Sequence, residues 1–355
     1  MQNRLHAIQA ALPPHSALLV ESAANRFYLT GFRSSAGFIL LSRDKAAFYV
    51  DFRYTEKAKH TIRHCPVYRS ERPMQEIRTF LTEQGITTLF VETDSTSVAR
   101  MRTLRDALDG VTVTDEDTFD RLIEQMRQVK APAEIAAVRQ AQRLTDDTFS
   151  YILDRIAAGR TEREIMLDME YYIRRLGSDG VAFDFIVVSG KNSSVPHGTP
   201  TDKPLETGDF VTMDFGGAVD GYRADMTRTV AIGAVSEEQR RVYDTVLTAQ
   251  KAALTAIRAD LVCKDVDKIA RDIINAAGYE GCFGHGLGHS VGIVIHETPS
   301  LSPRCDATLK PGVVMTVEPG IYLEGRFGVR IEDMVVITEN GFENFTKSRK
   351  DLILL

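Results

Sequence analysis

The sequence predicts an α/β (α+β) fold in two parts: a small mixed α/β N-terminal domain, residues 1–123, and a larger C-terminal domain, residues 124–355. Two observations support this prediction. Short apolar segments alternate with helical stretches along the first part of the chain. The second part passes twice through the same order of elements, helix, helix, strand and hairpin, which indicates two similar halves.

The N-terminal domain is predicted from local patterns of apolar residues. Short apolar runs predict strands at residues 17–20, 38–41, 47–50 and 89–91. Helical spacing of apolar residues predicts helices at 74–84 and 97–109. The polar and acidic stretch 112–120 marks the seam before the next domain.

The C-terminal domain shows its duplication in the order of its elements. The first half has a helix over 135–157, a helix that opens with the capping box Thr161-x-x-Glu164 and stops at Gly177, a strand at 185–189 and a hairpin over 210–232. The second half has a helix that opens with Ser236-x-x-Gln239, a helix over 265–278, a strand around 289–295 and a hairpin over 313–338. Two such halves facing each other would place a site in the cleft between them.

Composition excludes several classes of protein. Hydrophobic residues make up 43% of the chain and charged residues 26%, as is ordinary for a globular protein. The apolar runs are far shorter than the ~20 residues of a membrane span, and no signal peptide is visible. A net charge of −6 argues against a nucleic-acid partner. Four cysteines without CxxC spacing argue against a disulfide framework and fit a cytoplasmic protein.

The first hairpin carries two acids. If its turn centres between Val219 and Asp220, Asp214 and Asp225 become direct cross-strand partners that point to the same face. Two like charges so placed repel each other, and a bridging cation would turn this repulsion into a binding site. Two solvated aspartates beside a turn are the alternative.

The second hairpin repeats the arrangement with two glutamates. Glu318 and Glu332 are symmetric about Gly325 and lie in apolar flanks, where an unpaired carboxylate is costly to bury. A surface hairpin with incidental acids is the alternative. His289, which precedes this hairpin in the chain, lies in a glycine-rich stretch where the backbone can approach a bound group closely. Four carboxylates and one imidazole favour two divalent cations, and this donor set suits Mn²⁺, Co²⁺ or Zn²⁺.

Asp214, Asp225, His289, Glu318 and Glu332, in this chain order, resemble the metal ligands of the pita-bread metallopeptidases. This family includes Xaa-Pro aminopeptidases, Xaa-Pro dipeptidases (prolidases) and methionine aminopeptidases. Supporting motifs are PHG at 196–198, HGLGH at 285–289, VEPGIY at 317–322 and VRIED at 329–333. NRFYLTGF at 25–32 and DFRY at 51–54 look like the creatinase/prolidase-type N-terminal domain, which methionine aminopeptidases usually lack. The proline-specific branch is therefore favoured. Ala224, where that branch often has serine, is a small departure.

The resemblance implies a role for each ligand. Asp214 would chelate one metal ion, and Asp225 and Glu332 would bridge two. His289 and Glu318 would complete the shell of the second ion. A water between the metals would attack the scissile carbonyl, with Glu318 as the proton shuttle.

The resemblance also implies residues on the substrate side. His197 and His296 would act with Glu318 in catalysis by supporting the tetrahedral intermediate. Substrate contacts are implied for five residues: His197, His285, His296, Tyr322 and Arg330.

The implied function is a dinuclear metal-dependent exopeptidase that cleaves between an N-terminal residue and a following proline. Its cofactors would be two divalent ions, with Mn²⁺ favoured, and its substrate a small peptide with proline in second position. The family is often dimeric, so a homodimer is expected. Dipeptidase and aminopeptidase remain open, and the loop 32–35 is a candidate for blocking longer substrates. Two alternatives on the same fold are a non-catalytic peptide-binding relative and a metal-free creatinase-type amidinohydrolase.

Overall fold

A computed structural model describes residues 1–355 of the chain. The chain folds into two compact units, Met1–Arg127 and Gln128–Leu355. Each unit has its own apolar core, and the second unit contains two large clusters of buried apolar residues. No helix is both long enough and apolar enough to span a bilayer.

The first unit is built on a mixed sheet of six strands. Its elements are α1 (Gln2–Ala11), β1 (Ser16–Val20), α2 (Ala23–Thr30), β2 (Phe38–Ser42), β3 (Ala46–Val50), α3 (Phe52–Thr61), β4 (Val67–Arg69), α4 (Pro73–Glu83), β5 (Thr88–Val91), α5 (Val98–Ala107), β6 (Thr112–Thr114) and α6 (Thr118–Gln128). The strand order is β4-β3-β2-β1-β5-β6, with β1 antiparallel to β2 and parallel to β5. The unit is thus the mixed α/β domain that the sequence predicts.

The predicted strands of this unit are present as β1, β2, β3 and β5, and the predicted helices as α4 and α5. The sequence pattern does not predict β4 and β6, because each has only three residues and β6 lies in the polar stretch taken as a seam. Helices α2 and α3 also escape prediction, although the side chains of Ser22 and Asp51 cap their N-termini.

The second unit contains the duplicated halves. Its elements are α7 (Pro132–Leu153), α8 (Glu162–Arg175), β7 (Ile186–Ser189), β8 (Phe210–Phe215), β9 (Ala218–Val219), β10 (Tyr222–Arg223), β11 (Met226–Ala231), α9 (Glu237–Ala256), α10 (Cys263–Ile274), β12 (Gly288–Ser290), β13 (Glu297–Leu301), β14 (Val314–Val317), β15 (Gly320–Leu323), β16 (Phe327–Arg330), β17 (Asp333–Thr338) and β18 (Gly341–Asn344). A 3₁₀ turn over Gly190–Ser194 follows β7, and a π-helical turn over Asn275–Tyr279 follows α10.

Each half packs two helices against one sheet. In the first half, α7 and α8 bury their apolar faces on the sheet β11-β8-β7. In the second half, α9 and α10 pack on the sheet β13-β12-β14-β17-β18. The predicted capping boxes at the starts of α8 and α9 are both formed. The predicted strand at 289–295 is wrong in extent, because β12 ends at Ser290 and the next strand begins only at Glu297.

The register of the first hairpin differs from the prediction. Its two-residue turn consists of Asp220 and Gly221, both with positive φ, so the centre lies one residue later than expected. Asp214 is therefore paired with Thr227, and Asp225 lies two residues before that partner. Because side chains alternate along a strand, the shift of two residues leaves both aspartates on the same face. Asp-Gly is a strong signal for this type of turn and indicates the correct register.

The second hairpin has the predicted register. Gly320 pairs with Arg330 and Val317 with Asp333, which makes Glu318 and Glu332 symmetric about Gly325. Both glutamates lie where the hairpin is interrupted, between β14 and β15 on one side and between β16 and β17 on the other. Their backbone leaves the regular ladder at this point, while the flanking strands remain paired.

Candidate metal centre

The two hairpins bring their acidic residues together in the second unit. One oxygen each from Asp214, Asp225 and Glu332 lies within 4.8 Å of the other two. The hairpins are joined directly, because the backbone N–H of Glu332 donates to the carbonyl of Thr227 at 3.1 Å. The hydroxyl of Thr227 donates to Glu332 Oε2 at 2.7 Å. Each half of the duplicated domain thus supplies part of one cluster.

Two of these carboxylates have one oxygen held and one oxygen free. Asp214 Oδ2 accepts from Arg330 Nη2 at 2.6 Å, and Glu332 Oε2 accepts from Thr227. Asp214 Oδ1 and Glu332 Oε1 are buried and have no hydrogen-bond partner. A buried carboxylate oxygen without a partner is costly, so these two oxygens are directed at something other than protein.

His289 faces the same cluster from β12. Its Nδ1 lies 3.1 Å from the carbonyl of Ser290, and because a carbonyl only accepts, Nδ1 carries the proton. The Nε2 lone pair then lies 3.6 Å from Asp225 Oδ2 and 3.3 Å from Glu318 Oε1. Burial lowers the pKa of His289, which favours this neutral form. A lone pair directed at two carboxylates fits a cation held between them.

The electrostatics of the acids agree with this interpretation. Burial, reinforced by the neighbouring carboxylates, raises the pKa of Asp225 and of Glu332 well above their ordinary values. Burial also raises the pKa of Glu318 to about 7. Each of these carboxylates is therefore costly to ionise in the protein alone, and divalent cations remove that cost.

The donor set fits divalent metal ions. Five side chains converge with oxygen and imidazole donors, two orphaned oxygens are directed into the cluster, and the thiols of the chain take no part. The residues that would hold the ions are those predicted from the sequence: Asp214, Asp225, His289, Glu318 and Glu332.

A chain of hydrogen bonds supports the cluster from one side. Arg330, which bonds Asp214, also donates from Nη1 to the hydroxyl oxygen of Tyr322 at 2.8 Å. His285 Nδ1 lies 2.8 Å from the carbonyl of Gly286, so its Nε2 accepts from the Tyr322 hydroxyl at 2.9 Å. Burial lowers the pKa of His285 to about 4 and raises that of Tyr322 to about 12, so the chain keeps its protons near pH 7.

The cluster opens into a cleft of about 540 Å³. His197 and His296 both line it, and the ring of His296 lies edge-on to that of His289, with 4.4 Å between ring centroids. Apolar side chains form another part of the wall: Phe183, Phe185, Ile186 and Ile295. The cleft therefore offers an apolar surface beside a strongly polar one. All ten site residues expected from the sequence line this cleft or, in the case of Tyr322, bond a residue that does.

Two features of the site are absent from the sequence prediction. Thr227 orients Glu332, and its position opposite Asp214 follows only from the correct hairpin register. Of the apolar wall residues, Phe183 lies just before the predicted strand at 185–189 and Ile186 lies within it. A strand pattern does not show which face of the strand borders a cleft. The Asp-Gly turn is the signal that identifies Thr227.

Comparisons with known proteins agree with this geometry. Residues 136–339 match the family model described as metallopeptidase family M24, and residues 4–129 match the creatinase/prolidase N-terminal domain. An Xaa-Pro dipeptidase from Pyrococcus furiosus is 35% identical over 356 residues, 99% of this chain and 100% of that protein.

Two solved structures are similar over the whole chain. An Xaa-Pro dipeptidase from Bacillus anthracis has a TM-score of 0.94 at 36% identity and covers 100% of this chain and 99% of its own. An X-Pro aminopeptidase from Thermotoga maritima MSB8 has a TM-score of 0.90 at 36% identity, with coverage of 98% and 100%.

Proposed function

Because this chain belongs to metallopeptidase family M24, we propose that it is an exopeptidase that hydrolyses the bond between an N-terminal residue and a following proline. The family membership confirms the resemblance that the sequence motifs indicate, and the protein is a metallopeptidase. The observation that carries the proposal is the convergence of four carboxylates and one imidazole beside a cleft with an apolar wall.

The proposed cofactors are two divalent metal ions, with Mn²⁺ as the favoured ion. Asp214, Asp225, His289, Glu318 and Glu332 would hold them. When bound, such a pair of ions supplies a water of lowered pKa as nucleophile and polarises the scissile carbonyl. In the proposed assignment Asp225 and Glu332 would serve both ions, Asp214 would serve one ion, and His289 and Glu318 would serve the other.

Glu318 is the proposed proton shuttle. It lies at the interruption of its hairpin, and its Oε1 accepts from the Thr316 hydroxyl at 2.9 Å. This leaves Oε2 to take a proton from the nucleophile and to return one to the leaving proline nitrogen. Its side chain is 14% exposed, so it is reachable from the cleft.

His197 and His296 are the proposed substrate-side catalytic residues. Both are exposed side chains on the cleft wall, so a substrate can reach them without rearrangement of the core. As hydrogen-bond donors they would stabilise the negative charge that develops on the carbonyl oxygen. Arg330, Tyr322 and His285 form a fixed hydrogen-bonded chain, and we propose that they orient Asp214 and border the substrate.

The length of the substrate is a separate part of the proposal. One similar structure is described as an Xaa-Pro dipeptidase and another, at the same 36% identity, as an X-Pro aminopeptidase, so similarity supports both activities. The dipeptidase relative from P. furiosus supports a dipeptide substrate. We further propose a cytoplasmic homodimer, which the four free cysteines fit as far as the compartment is concerned.

The test uses metal-stripped protein reloaded with Mn²⁺ and offered an Xaa-Pro dipeptide and an Xaa-Pro-Yaa tripeptide side by side. Release of the first residue is followed by mass spectrometry. Cleavage of the dipeptide alone identifies a prolidase. Cleavage of the tripeptide, with slow or no cleavage of the dipeptide, identifies an aminopeptidase. Failure to cleave either peptide with Mn²⁺, Co²⁺ or Zn²⁺ refutes the proposal. An Xaa-Ala-Yaa tripeptide is the control for the proline requirement.

A further inference from the structure

Arg228 is a buried guanidinium on the far side of β11 from the metal centre. Thr227 and Thr229 direct their hydroxyls to the second hairpin, so the alternation of the strand places Arg228 on the opposite face. Its side chain is only 1% exposed. A fully buried cation needs a hydrogen-bond acceptor for each of its donors, and Arg228 has this complete set of acceptors.

Five acceptors surround the five N–H groups of this guanidinium. Nη1 donates to two backbone carbonyls, that of Thr227 at 2.9 Å and that of Glu332. Nη2 donates to Asp333 Oδ1 and to the carbonyl of Ser348, both at 2.8 Å. Nε donates to the carbonyl of Arg349 at 3.1 Å. Arginine is the one side chain that supplies five donors in a rigid plane.

Two of these acceptors belong to the residues that form the metal centre. The carbonyl of Thr227 also accepts from the N–H of Glu332, and the hydroxyl of Thr227 fixes Glu332 Oε2. Arg228 therefore fixes the backbone on both sides of the contact that holds the Glu332 carboxylate through Oε2 and leaves Oε1 without a protein partner. It touches neither the cluster nor the cleft itself.

The other acceptors anchor Arg228 from behind. Asp333 is 1% exposed and also accepts from Lys350 and from Asn344 Nδ2. Ser348 and Arg349 belong to the C-terminal segment of the chain. This segment is held in turn by Asp146 of α7, which accepts from the N–H and the hydroxyl of Ser348. Loss of one donor of Arg228 would thus allow both the segment and the hairpin backbone to shift.

We propose that Arg228 is a positioning residue for the metal centre, which holds Glu332 in its metal-binding orientation through the backbone of Thr227 and Glu332. The inference rests on the metal centre of the proposed function and does not depend on which peptide is cleaved. Residues that orient metal ligands from outside typically change metal affinity by about 10- to 100-fold when replaced.

The test replaces Arg228 by lysine, which keeps the charge but offers three donors for five acceptors. Metal-stripped wild type and R228K are titrated with MnCl₂ by calorimetry at a temperature where circular dichroism shows both to be folded. We expect Mn²⁺ affinity to fall about 10- to 100-fold. The visible absorption spectrum of the Co²⁺-loaded variant should also change, because the ligand field follows the position of Glu332.

The matched control is R26K in the first unit. Arg26 is 3% exposed and also donates to backbone carbonyls, those of Ser22, Ser34 and Gly37, but to no residue of the metal centre. R26K should melt earlier than wild type and bind Mn²⁺ as wild type does. Equal Mn²⁺ affinity of R228K and wild type, or an equal loss in R26K, overturns the inference.

A second variant covers the case in which R228K does not fold. Lys350→Met removes the outer partner of Asp333, and the Lys350 side chain is 21% exposed, so the change is milder. We expect a loss of Mn²⁺ affinity of about threefold, below the range of a directly positioning residue. An unchanged affinity in K350M, with R228K unfolded, overturns the inference. If wild type binds Mn²⁺ but cleaves no Xaa-Pro peptide, the proposed substrate specificity is refuted, while the inference on Arg228 is still tested by the affinities of the variants. If wild type binds no divalent ion, the proposed function and the inference on Arg228 are both refuted.

Discussion

The hydroxyl of Thr227 should control metal affinity without touching a metal. It donates to Glu332 Oε2 at 2.7 Å and accepts from Arg330 Nε at 2.9 Å, so it connects two residues of the centre. Thr227→Val keeps the shape of the side chain and removes both bonds. A hydrogen bond to a charged group contributes about 1.5–3 kcal/mol, and each 1.4 kcal/mol is about tenfold in affinity. We therefore expect Mn²⁺ to bind about 10- to 100-fold more weakly.

The neighbouring threonine on the same strand supplies the control. Thr229 is also buried, and its hydroxyl lies 2.9 Å from the carbonyl of Arg330 and 3.0 Å from the Thr212 hydroxyl. Thr229→Val removes a similar number of bonds but none to a carboxylate. Calorimetric titration with MnCl₂ of the metal-stripped variants, at a temperature where both are folded, separates the two effects. The reasoning is refuted if both valine variants lose the same affinity, or if T227V binds Mn²⁺ like wild type.

Four further predictions concern the centre and a cysteine outside it. Asp225→Asn should abolish peptide cleavage and lower the metal content measured by elemental analysis, whereas full activity would show that the metal site is wrongly assigned. Tyr322→Phe breaks the bonds of the hydroxyl to Arg330 and to His285, so we expect kcat/KM to fall by about tenfold or more at unchanged metal content, the equivalent of ~1.4 kcal/mol or more. Metal-stripped protein should lose stability as pH rises from 7 to 9, since the folded-state pKa values of Asp225 and Glu332 lie well above their unfolded values and the folded protein therefore holds more protons than the unfolded chain. Below pH 7 the lowered pKa values of His285, His289 and His296 act in the opposite direction, so the comparison is made above it, and a melting temperature that rises from pH 7 to 9 contradicts the reasoning. Burial raises the pKa of Cys263 to about 12, so iodoacetamide at pH 8 should leave this thiol unmodified in the native protein and alkylate it after unfolding, as read by peptide mass spectrometry.

The arrangement of the acids within each hairpin could be predicted because it depends on local sequence. Glu318 and Glu332 are symmetric about Gly325, and the turn at that glycine sets the register that the structure shows. The apolar pattern alone predicts the turn of the first hairpin one residue too early, whereas the Asp220-Gly221 pair marks its true centre; the alternation of side chains still places Asp214 and Asp225 on one face. Local pattern thus predicts which residues share a face more securely than which residues are opposite each other.

The long-range contacts of the supporting residues could not be predicted from local sequence, even where a turn signal gives the position of the residue on its own hairpin. Thr227 meets Glu332 across 105 positions of the chain, and Arg228 meets Ser348 across 120. These contacts depend on how the two halves of the domain dock and on where the C-terminal segment lies. The spacing of apolar residues along the chain carries no information on either arrangement. The short strands β4 and β6 escaped for a different reason, since three residues do not suffice to show a period.

The joining of the two hairpins through Thr227 and Glu332 has a consequence for the order of events during folding. Neither half contains a complete set of donors, and the contact between them closes a loop of about a hundred residues, which is entropically slow to form. During synthesis the first hairpin leaves the ribosome well before the second, so Asp214 and Asp225 are made before the other donors of the cluster exist. Metal uptake at the proposed centre would therefore come after the docking of both halves, and the rise of affinity for a divalent ion during refolding would time that last step.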